Sequence, residues 1–190
     1  MMIAAMMLMS VGAFAQEAGK MAVGVNAAYG FASNYKTFGV GGKFQYCITN
    51  EFRAEASGTY FLKKDNVSAW DANINVHYVI PISEGLNVYP LAGLTIMGVK
   101  ADIDGALDDA IAQAAAIAGM SVAQYKQYLN QSGETWSAQG SASETNVGFN
   151  AGGGIEYFLS EQFKINAEVK YQYTKNNDWP VVSIGAAYVF

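Results

Sequence analysis

Val181-Val-Ser-Ile-Gly-Ala-Ala-Tyr-Val-Phe190 is the stretch that decides the fold. Val182, Ile184, Ala186, Tyr188 and Phe190 fall on one face, and Ser183, Gly185 and Ala187 fall on the other. A β-strand turns successive side chains to opposite sides, so this segment has one greasy face and one small or polar face.

The same alternation runs back through the chain. Met21, Val23, Val25, Ala27, Tyr29 and Phe31 oppose Ala22, Gly24, Asn26 and Gly30; Phe38, Val40, Gly42, Phe44, Tyr46 and Ile48 oppose Thr37, Lys43, Gln45 and Cys47. Phe52, Ala54, Ala56, Gly58, Tyr60 and Leu62 oppose Arg53, Glu55, Ser57, Thr59 and Lys63. Trp70, Ala72, Ile74, Val76, Tyr78 and Ile80 oppose Asp71, Asn73, Asn75 and His77. Val147, Phe149, Ala151, Ile155 and Tyr157 oppose Gly148, Asn150, Gly152 and Glu156. Phe163, Ile165, Ala167, Val169, Tyr171 and Tyr173 oppose Lys164, Asn166, Glu168, Lys170 and Gln172. Residues 87–100 are apolar on both faces and read as a further strand whose register stays open. That makes eight strands, each of about ten residues or more, the length a tilted membrane strand needs.

Alternation alone suits two architectures. A soluble lipocalin-like barrel turns its apolar face to an inner ligand cavity, and a membrane barrel turns it to lipid. Three features favour lipid. The apolar faces are aromatic near their ends and small in the middle, as in Phe52, Ala54-Ala56-Gly58, Tyr60. The expected girdle is Tyr29, Phe31, Phe38, Tyr60, Trp70, Tyr78, Tyr157, Phe163 and Tyr173, at two water–lipid boundaries. Tight connections (Thr49-Asn50-Glu51, Ser83-Glu84-Gly85, Leu159-Ser160-Glu161) alternate with generally longer polar ones. The polar face carries both charges: Lys43, Arg53, Lys164 and Lys170 against Glu55, Asp71, Glu156 and Glu168. An eight-stranded barrel is about narrow enough for side chains to fill, so these charges are expected as an ion-paired lumen plug.

The ends of the chain agree. Ile3 to Ala13 is a short apolar run followed by Ala13-Phe14-Ala15, an A-x-A cleavage site, so residues 1–15 read as a signal peptide and 16–190 as the barrel. Apolar residues make up 52% of the chain, yet no later run reaches the ~18 residues of a membrane helix. The net charge of −5 and the lack of a basic patch argue against a nucleic-acid partner. The single cysteine, Cys47, has no internal disulfide partner.

The signal peptide, the eight amphipathic strands, Tyr89-Pro90-Leu91-Ala92-Gly93 and the Tyr188-x-Phe190 ending resemble the small bacterial outer-membrane β-barrel "porin family" domain. OmpX, OmpW and the membrane domain of OmpA are its relatives in architecture. The resemblance covers nearly the whole chain except roughly residues 101–146. It implies an all-β, antiparallel up-and-down barrel in the outer membrane with periplasmic termini. It also implies that the barrel-assembly machinery reads Tyr188 and Phe190, and that outer-membrane lipid surrounds a monomer.

Residues 101–146 differ in composition. Asp104 to Ile117 is Ala-rich with Asp104, Asp108 and Asp109 near its start, favourable at a helix N-terminus. Ser121-Val-Ala-Gln124 reads as a capping box opening a second short helix through Leu129. Residues 130–146 read as a flexible polar return containing Trp136. By strand count this is the third extracellular loop. It is a hairpin packed on the rim, a surface for an extracellular partner, a lid over the lumen, or an amphipathic element on the outer leaflet.

Site chemistry is sparse. His77 is the only histidine, near the periplasmic end of its strand, so no Ser-His-carboxylate set near lipid is expected. One His and one Cys make no zinc site, and Asp102-Ile-Asp104-Gly105 lacks the downstream spacing of a calcium loop. No catalytic set, cofactor or metal is expected. The first functional reading is a structural or surface-interaction protein; the others are a small passive channel for small or hydrophobic solutes and an outer-leaflet lipid-modifying enzyme.

Overall fold

The computed structural model describes residues 17–31, 36–132, 141–175 and 178–190. The expected signal peptide and Trp136 lie outside them. The elements are β1 (Met21–Phe31), β2 (Lys36–Cys47), β3 (Phe52–Lys64), β4 (Val67–Tyr78), β5 (Ile80–Ser83), β6 (Leu86–Asp102), α1 (Ile103–Ile117), α2 (Val122–Gln131), β7 (Ser141–Phe158), β8 (Phe163–Thr174) and β9 (Trp179–Val189).

All pairings are antiparallel between neighbours, and the sheet closes on itself. β6 pairs with β4 and the short β5 along one side, so these two strands form a single stave broken at Val79. The result is eight staves. Closure joins β9 to β1, where Met21 N–H donates to the Phe190 carbonyl and Phe190 N–H to that of Met21, both at 2.9 Å. Closure leaves no open edge, which is what lets a sheet cross hydrocarbon with every backbone group paired.

The distribution of side chains is inside out. Val25, Ile74 and Val147 are 67–68% exposed while Arg53 and His77 are 0% exposed. Burial follows parity along each strand, as in the eBeBeBeB run of β8. The apolar face therefore lies outside, where only lipid can cover it. From Phe52 to Tyr60 is eight residues; at about 3.3 Å each and ~40° tilt they rise about 20 Å, near the height of a membrane belt.

The strand left without a register places its odd residues inward: Asn87, Tyr89, Leu91, Thr95 and Met97 are buried, and Leu94 and Ile96 are exposed. Its two apolar faces meet different surroundings, one lipid and one a locally apolar lumen.

The insert is narrower than 101–146. β6 runs to Asp102 and β7 starts at Ser141, with every rung from Asp102↔Ser141 to Met97↔Asn146 formed. Ladder bonds are made by the backbone, so a Ser- and Thr-rich segment pairs in water without an apolar face. The two helices lie between Ile103 and Gln131. Asp102 caps α1, accepting from Gly105 N–H at 3.1 Å, and Ser121 and Gln124 complete the capping box of α2. Ile111, Ala115 and Leu129 are buried, giving the hairpin a small core.

Candidate functional site

All eight charged residues expected in the lumen lie there and are buried: Lys43, Arg53, Glu55, Asp71, Glu156, Lys164, Glu168 and Lys170. Parity puts them inside; the diameter then brings distant strands into contact. Glu156 on β7 is the node. Arg53 Nη1, from β3, reaches its two carboxylate oxygens at 3.0 and 2.8 Å. Lys164 Nζ donates at 3.0 Å and Asn87 Nδ2 at 3.2 Å. Two cations and one amide on one buried carboxylate leave no lone pair idle, the condition under which such charges persist away from water.

Arg53 is fixed on its other sides. Nε and Nη2 stand 3.3 and 3.0 Å from His77 Nδ1, and the guanidinium lies 5.0 Å from the centre of the Tyr89 ring. Tyr89 stacks on His77 at 4.7 Å and 6°, and its hydroxyl donates to Glu168 at 3.2 Å. A Cβ on Gly154 would fall 2.5 Å from the Tyr89 ring, so glycine there makes the notch the ring occupies.

Direct ion pairing is narrower than the even tally of charges suggested. Asp71 is held by amides, Asn73 Nδ2 at 3.0 Å and Gln172 Nε2 at 2.9 Å. Glu55 accepts from Gln45 Nε2 at 2.8 Å. Among the described residues, Lys43 and Lys170 form no direct ion pair. They oppose the two mid-lumen carboxylates at longer range.

Glu55, His77 and Glu168 offer ligand atoms that all lie within 4.8 Å of one another. The imidazole does not suit a metal. Nδ1 accepts from Arg53, so the neutral ring carries its proton on Nε2, the atom facing the carboxylates at 3.9 Å from Glu55. A metal needs that lone pair bare and the proton on Nδ1, where Arg53 already points two donors. Among the described residues, the ring's polar contacts are Arg53 and Glu55, with no hydroxyl nucleophile.

Towards the rim opposite the chain termini, the lumen changes character. Phe61, Ala69, Met97, Trp179, Ala28 and Val181 form an apolar layer. Trp179 is 1% exposed, its ring 4.7 Å from that of Phe61, and its Nε1 donates to Gln172 Oε1 at 2.8 Å. Gln172 also donates to Asn73 Oδ1 at 3.1 Å and Thr95 Oγ1 at 3.2 Å, joining the apolar layer to the polar one. Trp179 and Pro180 follow a polar stretch yet open β9, and the indole lies buried on the inward face. The signal was available: Trp179 shares parity with Val181 and Ser183 on the inward face.

The expected girdle residues stand on the outer wall. Tyr29, Phe31, Phe38, Tyr60, Trp70 and Tyr173 ring the loop end; Tyr78, Tyr157 and Phe163 ring the turn end. Tyr29 meets Phe31 at 4.6 Å and Phe38 at 4.7 Å, and Phe163 meets Tyr188 at 5.1 Å. Tyr188 and Phe190 both face outward at the turn end. The insert is tied to the loop rim by Lys63 Nζ to Asp102 at 2.6 Å and Asn66 Nδ2 to Asp109. Lys126 to Asp108, at 2.8 Å, ties α2 to α1. The Lys63 ammonium, helped by Gly105 N–H, holds the Asp102 carboxyl below the usual carboxylate range. At the far corner of the hairpin Ile117, Met120 and Val122 are exposed.

Residues 1–190 match the outer membrane protein β-barrel domain family, and the chain belongs to it. It is a bacterial outer-membrane barrel. A comparison with curated protein sequences gives no match. Among solved structures, it is similar to the N-terminal β-barrel domain of OprF from Pseudomonas aeruginosa, with a TM-score of 0.64 at 15% identity over 92% of this chain and 100% of that one. Neisserial surface protein A, NspA, gives a TM-score of 0.60 at 14% identity over 89% and 95%. Ail, the attachment invasion locus protein of Yersinia pestis, gives 0.55 at 17% identity over 91% and 99%. At such identities the likeness is one of fold.

Proposed function

We propose that this chain is a closed-lumen outer-membrane anchor whose helical insert is a contact surface for an extracellular partner. The observation that carries the reading is the two-layer lumen, an interlocked polar network capped by Trp179 on Phe61. Such a filling leaves a solute no evident path and gives the barrel a rigid interior. The short turns and both termini face the periplasm in this reading, and the insert faces outward. The exposed Ile117, Met120 and Val122 give that insert something to bind with. The names of Neisserial surface protein A and of the Ail attachment protein lend the surface role support, as does the Ail structure with the heparin analogue sucrose octasulfate. The similar structures are outer-membrane barrels rather than enzymes, and His77, clasped by Arg53, adds no support for catalysis.

Planar-bilayer recording tests the closed lumen. The native chain is expected to be silent and Trp179→Ala/Phe61→Ala to give conductance steps; steps from the native chain overturn the reading. One observation favours a second reading, a narrow passive channel: Lys43 and Lys170, without direct ion pairs among the described residues, suit a hydrated mid-lumen. Native steps that vanish in Lys43→Gln/Lys170→Gln would establish it.

A further inference from the structure

The sheet closes on itself through the membrane belt, but above the belt one side rises alone. β7 pairs with β6 up to Asp102↔Ser141, whereas its ladder with β8 stops at Gly148↔Thr174. Ser141 to Val147 is therefore a strand laddered along one edge only. Four residues, 175–178, separate Thr174 from Trp179, which pairs back on Gln172. They are too few both to reverse direction and to run beside a strand of about 20 Å. Phe149 stacks on Tyr173 at 4.7 Å in the loop-end girdle. Thr145, four residues further along the strand, stands about 10 Å above that level at ~40° tilt, in water.

Alternation fixes which groups line the edge. Phe158 N–H donates to the Gly85 carbonyl on the β6 side, and Leu159 N–H to the Phe163 carbonyl on the β8 side. With that parity the even residues of β7 bond to β6 and the odd residues face the other way. Asp102, opposite Ser141, agrees: its N–H turns away from β7 to the Asn66 carbonyl at 2.8 Å. Ser141, Ser143 and Thr145 thus aim their N–H and C=O groups along one edge. All three residues are exposed, and among the described residues none has a backbone partner on that side.

The raised sheet has a second edge, on β3, and it is guarded. Leu62 to Lys64 is short, carries Lys63 and Lys64, and shifts register against β4 between Phe61 and Lys64. The Leu62 carbonyl also accepts from the Thr37 hydroxyl at 2.8 Å. Shortness, lysines and a bulge are how sheets keep a foreign strand from adding. Ser141 to Val147 has no proline, no lysine and no break in register. Its single charge, Glu144, sits at an even position.

We propose that Ser141–Val147 is a docking edge that takes an extended segment of a partner polypeptide as an added antiparallel strand. Donors and acceptors repeating along a line at strand spacing are matched by another extended main chain. The partner is therefore selected by conformation, with free N–H groups at the bonded positions, more than by its side chains. The inference rests on the partner-binding reading and gives the partner its form. It places the contact on β7, beside the helices rather than on them.

The test uses the full chain in detergent micelles, its fold verified by heat-modifiable gel mobility. The probe is a peptide of about nine residues alternating threonine and valine. Amide hydrogen exchange at Ser141, Ser143 and Thr145 is expected to be fast in the free chain and about tenfold slower with saturating peptide. Ser143→Pro removes an edge N–H but spares the β6 ladder, and is expected to weaken binding about tenfold. Ser143→Ala keeps the backbone and is expected to change binding by less than about twofold. A peptide methylated on every amide nitrogen is expected not to bind, an arm that holds even where Ser143→Pro fails to fold. Exchange unchanged by peptide, binding of the methylated peptide, or equal losses in the two Ser143 variants would each overturn the edge. Slow exchange before any peptide is added would assign the edge to this chain or a second copy, and overturns the proposal too. Loss of binding only in Ile117→Ser/Met120→Ser would move the peptide to the helical hairpin, overturning the edge while the partner-binding reading stands.

Discussion

Arg53–Glu156 in the lumen and Lys126–Asp108 on the insert have the same 2.8 Å separation, yet they are different interactions. The first pair is 0% and 1% exposed, the second 48% and 67%. Contact distance therefore says little about energy; burial decides. In the lumen, removing one partner strands the other in a low-dielectric interior, whereas at the insert water replaces it. The same chemistry locks one region and merely decorates the other.

The sharpest way to break that contrast is Glu156→Leu, which leaves Arg53 and Lys164 uncompensated. It is expected to cost about 3–5 kcal/mol, read as the urea midpoint of the folded barrel in vesicles. A loss under about 1 kcal/mol would mean water enters the lumen freely. Trp179→Ala comes next, at about 3–4 kcal/mol, because it opens a cavity over Phe61 and bares the Gln172 oxygen. Ile74→Lys, at mid-belt on the outer wall, is expected to cost about 2–3 kcal/mol in vesicles. An unchanged midpoint would remove that face from lipid. Lys126→Ala should cost less than about 1 kcal/mol and leave the barrel's unfolding midpoint alone. The smallest effect is the pH response of the Lys63–Asp102 clasp. Its carboxyl is held below the ordinary range, so the clasp is complete at neutral pH and lost as pH falls through and below that range. Proteolysis within α1 and α2 is expected to quicken in acid while barrel mobility on gels stays folded; no change in cleavage, or a matching change in Lys63→Ala, would sever that link.

Much of the architecture was legible because membrane strands expose their period directly. Val25, Ile74 and Val169 announced the outer wall, and Arg53, Glu55 and Lys170 the inner one. The strand at 86–102 was not, since Tyr89, Leu91 and Met97 are as apolar as the lipid-facing Leu94 and Ile96. Periodicity reports a change of surroundings, and none was visible there. Ser141 to Asn146 escaped for the opposite reason, lacking a greasy face while the backbone ladder pairs them with β6. Within the lumen, membership was readable but partnership was not. Arg53 and Glu156 are 103 residues apart, and their meeting depends on how strands that are not neighbours face each other across the barrel. Trp179 was hidden by its setting among loop-like residues, although its parity gave it away.

Tyr89 and Gly154 carry a consequence for descent. The phenol ring fills the space a methyl group at 154 would need, and that ring touches His77, Arg53 and Glu168. A larger residue at 154 evicts the tyrosine, and a smaller one at 89 leaves the glycine purposeless. Across an alignment of kindred chains, these two columns are expected to covary.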